Sequence, residues 1–156
     1  MKKFYLDTSV WRDYFEDRRD NIRPLGEFAF QFLKCCREKK YIILYSKITL
    51  IELNDFQKEL IEFFNSFEDI ALKVSYSKEQ VIEANNIEKH KTIPYNDALH
   101  AIFARDNNAI LIKRDKHFED SNSCGLNTGF SLLVCDFYGC KIETFFCYFF
   151  CFFAFF

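Results

Sequence analysis

The sequence predicts an α/β fold in which a parallel sheet is covered on both faces. Three observations carry this. Apolar runs of strand length recur around residues 4–6, 41–45, 71–76 and 109–112; helical periodicity fills the intervals between them; and capping residues or prolines stand at most of the joints. Strands alternating with helices in this order build parallel sheets with helices on both sides. At 156 residues the chain is long enough for one domain with a substantial core.

Phe4-Tyr5-Leu6 forms the first apolar run and leads straight into Asp7, Thr8 and Ser9. Ser9 or Thr8 is expected to cap a short helix carrying Val10, Trp11, Tyr14 and Phe15. A charged connection over residues 16–23 ends at Pro24, which suits the first turn of a helix. Leu25, Phe28, Ala29, Phe32, Leu33 and Cys36 then recur at the spacing of one buried helical face, with Cys36 as a small core residue. Tyr41 to Tyr45 is a continuous apolar run rich in β-branched and aromatic residues, hence a buried strand. Ser46 is placed to cap the next helix, which carries Ile48, Ile51 and Glu52. The stripe Leu53, Phe56, Leu60, Phe63, Phe64 and Phe67 reads as its continuation.

Residues 71–76 give a third strand. Ser77-Lys78-Glu79-Gln80 has the form of a capping box and opens a helix with Val81, Ala84 and Ile87 inside. Pro94 opens a helix over 95–106 that is apolar on nearly all sides, so it is expected to be buried. Asn107-Asn108 ends it, and residues 109–112 form the fourth buried strand.

Composition narrows the function classes. Apolar residues make up 49% and charged ones 28%, as in a folded globular protein. With 21 basic against 23 acidic residues the net charge is −2, so a nucleic-acid contact has to use a local patch. Lys2 and Lys3 imitate the start of a secretory signal, but Asp7 ends the apolar run too soon, and the chain reads most simply as cytoplasmic. Cys35 and Cys36 are the only cysteines before residue 121, and adjacent cysteines rarely pair.

Four acidic residues occupy comparable places in this pattern. Asp7 follows the first strand, Glu52 sits in the helix after the second, Asp97 lies in the first turn of the buried helix, and Asp115 follows the fourth strand. In a parallel sheet these points share one end, where ligands collect. Crowded carboxylates repel, and a hard cation such as Mg²⁺ or Mn²⁺ makes the arrangement sensible. Taken singly, each acid has a bland reading. Asp97 is favoured by the helix dipole alone, Glu52 is a plausible solvated residue, and Asp115 has cationic neighbours within a turn.

Leu6-Asp7-Thr8-Ser9, Glu52, Asn96-Asp97-Ala98-Leu99-His100-Ala101 and Ile112-Lys113-Arg114-Asp115-Lys116-His117-Phe118 together resemble the four motifs of PIN-domain ribonucleases, nearest to VapC-type toxins and their archaeal relatives. The resemblance covers residues 2 to about 118. It implies a three-layer α/β/α fold with a central parallel sheet of four to five strands. It also implies a Mg²⁺- or Mn²⁺-dependent endoribonuclease, with Asp7, Glu52, Asp97 and Asp115 as metal-binding and catalytic acids. Thr8, Ser9 and Asn96 would support those acids by hydrogen bonds. The partners it implies are an RNA substrate, a small cognate antitoxin and a second copy in a homodimer, with no membrane. Lys113 departs from the Thr or Ser often found there.

Arg12, Lys47, Arg114 and Lys116 are candidate RNA phosphate contacts, with solvated surface cations as the plainer reading. His100 lies one helical turn from Asp97 and would face the same way. Without tight histidine spacing, His100 and His117 suit structural or supporting roles better than transition-metal ligation. A haloacid-dehalogenase phosphatase also begins with a strand ending in Asp, but needs a second Asp two residues on, where this chain has Ser9. A catalytically inactive PIN-like binding module is the remaining alternative.

The sequence divides at residue 120 into a PIN-like domain (1–120) and an atypical tail (121–156). The tail holds one basic residue, three of the four glycines and five of the seven cysteines, and ends in a run of phenylalanines. As a helix, residues 144–156 would reach about 20 Å, short of a bilayer core of about 30 Å. Phe, Cys, Tyr and Leu codons are thymine-rich, so this composition fits DNA read out of frame or past its stop, starting between about Glu119 and Gly125. Ser131-Leu132-Leu133-Val134 is the candidate for a last strand.

Overall fold

The computed structural model describes residues 1–21, 23–91, 93–114 and 131–133. The chain runs β1 (Lys3–Leu6), α1 (Thr8–Glu16), α2 (Leu25–Glu38), β2 (Ile42–Ser46), α3 (Lys47–Glu52), a 3₁₀ turn (Asn54–Phe56), α4 (Gln57–Ser66), β3 (Ala71–Val74), α5 (Lys78–Lys91), α6 (Tyr95–Asp106), β4 (Ile110–Lys113) and β5 (Ser131–Leu133). The strands form one sheet in the order β3-β2-β1-β4-β5, and every pairing is parallel. The order reverses between β1 and β4, which is where an open α/β sheet leaves a crevice at its carboxyl edge.

Side chains alternate across the strands and feed two cores. Phe4, Leu6, Ile43 and Ile112 pack on one face with Trp11, Phe32, Leu33, Leu60 and Phe63 from α1, α2 and α4. Tyr5, Leu44 and Leu111 pack on the other with Ala84 and Ile87 of α5 and Leu99, Ile102 and Phe103 of α6. The result is the three-layer α/β/α arrangement. Residues 98–104 of α6 are all buried, as a helix apolar on nearly all sides predicts, and the one polar residue among them, His100, is buried with the rest.

Several joints differ from the sequence expectation. Helix α1 is capped by Asp7, not by Thr8 or Ser9: its carboxylate accepts the Ser9 backbone N–H at 3.0 Å. A carboxylate there also complements the helix dipole, and the Thr8 hydroxyl is left for a distant partner. The stripe beyond Glu52 is not one helix. Leu53 leaves helical geometry (φ −102°, ψ 25°), buries completely, and turns the chain before α4. Strand β3 stops at Val74, because Ser77 and Gln80 already bond each other's backbone N–H as a capping box at the start of α5.

Ser46 caps α3 as expected, with Thr49 completing a reciprocal box. Asn108 ends α6 in the left-handed region (φ 51°), and the following Ala109 N–H reaches back to the Ala104 carbonyl at 2.8 Å. Among the described residues no helix is long and apolar enough to cross a membrane. Ser131–Leu133 fills the last-strand position beside β4, in register from Leu111↔Ser131 to Lys113↔Leu133. The remainder of the phenylalanine-rich tail, with the proposed loss of frame, lies outside the described residues.

Candidate active site

Strand β1 carries Asp7 to the carboxyl edge of the sheet. Its backbone N–H donates to the Ile112 carbonyl of β4 at 2.9 Å, so the ends of the two strands are locked side by side. Asp7 Oδ2 accepts from the Ser9 backbone N–H and from the Ser9 hydroxyl at 2.5 Å. Ser9 Oγ in turn accepts from the Arg114 backbone N–H at 3.4 Å. One serine therefore ties the first acid to the chain immediately before Asp115.

Glu52 is the last residue of α3, and three side-chain donors converge on it. Asn96 Nδ2 donates to Oε1 at 2.6 Å, while His100 Nε2 (3.0 Å) and the Thr8 hydroxyl both donate to Oε2. Burial pushes the Glu52 carboxyl up, but the bonds from His100, Thr8 and Asn96 outweigh it and hold the group below its ordinary value. His100 Nε2 also lies 3.9 Å from Asp7 Oδ1, so the two carboxylates flank a single imidazole edge.

His100 is 1% exposed and uses its other nitrogen as well: Nδ1 is 2.9 Å from the Tyr5 hydroxyl. The Tyr5 oxygen is 2.8 Å from Ser46 Oγ and 3.4 Å from Thr49 Oγ1. An ionised Glu52 can only accept, so the network assigns a proton to Nε2; in the neutral ring Nδ1 then accepts from the Tyr5 hydroxyl. Burial pushes the Tyr5 phenol up to about 12, which keeps that donor proton in place.

The PIN domain family model matches residues 4–122. The chain belongs to the PIN domain family. Comparison with curated proteins gives no match. PIN domains are typically metal-dependent nucleases acting on RNA or other nucleic acid, so at that level this PIN domain is a nucleic-acid hydrolase.

PIN domains generally use divalent ions, and the donors here suit one chemically. Asp7 and Glu52 offer carboxylate oxygens, the ligands preferred by hard cations. Among the described residues no three donors are gathered closely enough to hold an ion. Asp115, Lys116 and His117 lie outside those residues. Asp97 is half-buried in the first turn of α6, between Asn96 and His100, which both reach Glu52. Lys113 is 2% exposed and level with Asp7 across the β1–β4 pair. By strand alternation both fall on the α6 face.

Two predicted RNA contacts have protein partners in this PIN domain. Arg12 bonds the Glu52 carbonyl at 3.0 Å and pairs with Glu16 and Asp55. Arg114 bonds the buried Asp13 at 3.0 Å. Lys47, at the start of α3, is exposed. Sequence reasoning placed His100 near Asp97 through its one-turn spacing, but missed Tyr5 and Thr49. Tyr5 sits inside an apolar run, and nothing local marks its hydroxyl as functional.

Proposed function

We propose that this PIN domain is a Mg²⁺- or Mn²⁺-dependent endoribonuclease, acting as the VapC-like toxin of a toxin–antitoxin pair. The observation that carries the reading is the meeting of Asp7, at the end of β1, and Glu52, at the end of α3, on either side of His100 Nε2. Asp7, Glu52, Asp97 and Asp115 would hold the ion. Its contribution, when bound, is Lewis acidity toward the phosphate oxygens of the scissile diester. Ser9 orients Asp7, while Thr8, Asn96 and His100 orient Glu52. Exposed Lys47, with Arg12 beside the Glu52 carbonyl, offers positive charge to the RNA backbone.

The motif resemblance supports the toxin role, and with it a small antitoxin partner and a homodimer in the cytoplasm. The test is RNA cleavage by purified protein with Mg²⁺ or Mn²⁺, with and without chelator, beside Asp7→Asn and Asp97→Asn. Cleavage that needs metal and is lost in both variants is the expected result. A folded wild type that cleaves nothing would overturn the nuclease reading in favour of a binding module.

A further inference from the structure

Glu52 stands at the C-terminal end of α3, a helix of six residues. Both ends of that helix are tied to the same imidazole. At the N-terminal end, Ser46 and Thr49 reach the Tyr5 hydroxyl, which bonds His100 Nδ1. At the C-terminal end, His100 Nε2 bonds Glu52 directly. Tyr5, Ser46 and Thr49 are 0% exposed and His100 is 1% exposed. Of these five residues Glu52, with 24% of its side chain exposed, is the one that opens toward solvent.

Such a network is costly to bury unless every member is satisfied. His100 is the one polar residue in the buried run from Ala98 to Ala104 of α6, and its ring commits both nitrogens to the Tyr5 hydroxyl and Glu52. The network's outlet is a carboxylate, and the second carboxylate, Asp7, lies 3.9 Å from the same nitrogen. We propose that His100 is a positioning residue of the acidic site, locked by Tyr5 so that its Nε2–H aims the Glu52 carboxylate alongside Asp7. This rests on the reading of those acids as metal ligands. The imidazole neither touches RNA nor binds the ion; it sets where α3 ends and how Glu52 points.

The test compares His100→Leu, His100→Gln and Tyr5→Phe with wild type and Asp7→Asn. Mn²⁺ affinity is measured by electron paramagnetic resonance on RNA-free protein, and kcat and KM on a short RNA. His100→Leu keeps bulk without a donor, and should weaken Mn²⁺ binding and lower kcat by about 10-fold or more, the usual cost of losing such a support, with KM little changed. Gln can place its amide N–H near the Nε2 position, so His100→Gln should recover most of the loss. Tyr5→Phe deletes one oxygen and should weaken Mn²⁺ binding by a smaller factor.

Wild-type Mn²⁺ affinity in a folded His100→Leu protein would overturn the proposal. Should that variant fail to fold, Tyr5→Phe decides: unchanged affinity overturns it and weakened affinity supports it. A wild type that binds Mn²⁺ no better than Asp7→Asn instead overturns the metal reading beneath it, and that result is seen before any His100 variant is made.

Discussion

Asp13 is 2% exposed, with Arg114 at 3.0 Å and Arg18 at 4.0 Å from its carboxylate. Burial nonetheless decides its titration: it pushes the carboxyl above its ordinary value, against the pull of both arginines. Glu52 goes the other way, because three donors outweigh burial. The two acids therefore give opposite pH signatures in metal-free protein. A raised folded pKa means that ionised Asp13 costs stability at neutral pH, and that the cost disappears as pH falls through the folded pKa. Asp13→Asn should thus lie within about 1 kcal/mol of wild type at pH 7, short of the 3–5 kcal/mol lost when a net-stabilising buried pair is broken, and any gain should vanish in acid. A lowered folded pKa means that Glu52 contributes stability above its unfolded pKa, lost as pH falls through the folded one. The margin of wild type over Glu52→Gln should therefore shrink on acidification. Urea unfolding between pH 7 and pH 3 measures both; parallel trends would refute the pair of assignments.

At the scale of elements, α1 and α2 approach so closely at Gly26 that only a hydrogen fits. An added Cβ would lie 2.6 Å from the Asp17 Cα and 2.9 Å from the Asp13 carbonyl oxygen. Backbone cannot yield as a flexible side chain can, so Gly26→Ala should destabilise by about 1–3 kcal/mol, read as a lower urea midpoint at unchanged slope. Lys40 gives the converse case. It closes α2 in the left-handed region (φ 52°), with the Tyr41 N–H bonded to the Cys36 carbonyl at 2.8 Å. Lysine is strained there and glycine is not, so Lys40→Gly should stabilise by about 0.5–1 kcal/mol, seen as a higher melting temperature. These joints also mark the limit of what the sequence discloses. Apolar runs located β1 to β4 and helical spacing located the helices between them, because each buries an apolar face, whereas Ser131–Leu133 was expected only as the family's last strand. Helical spacing missed the break at Leu53, since a buried leucine looks the same inside a helix or at its end. It also missed the Asp7 cap, where a carboxylate and two hydroxyls stood in competition.

For the whole molecule, the parallel sheet and its two helical layers were legible because, among the described residues, β1 to β4 and the helices between them repeat one pattern of a strand followed by two helices. The convergence of Asp7 and Glu52 was legible for the same reason: a parallel sheet brings all its strand ends to one edge. Their supports were less so, since Asn96 and His100 meet Glu52, and Tyr5 meets His100, only through packing of α6 on β1. If the acids hold a divalent ion, binding must stabilise the fold by mass action. Mn²⁺ at about 100 times its Kd should add about 2.7 kcal/mol, or roughly 5–11 °C in melting temperature for a domain of this size. Chelator should reverse the shift and Asp7→Asn should abolish it. A melting temperature indifferent to Mn²⁺ would count against the site.

The central place of β1, between β2 and β4, has a consequence for synthesis. Ser9 and Arg114, which meet across that seam, are 105 residues apart in the chain. At translation rates of about 5–20 residues per second, β1 waits on the order of 5–20 s between its own emergence and that of its second neighbour. Until then one edge of the first strand is open and Asp7 lacks the wall that β4 provides. The site is thus among the last features the growing chain can complete, and a ribosome-bound fragment ending before β4 should carry the Asp7 motif without its activity.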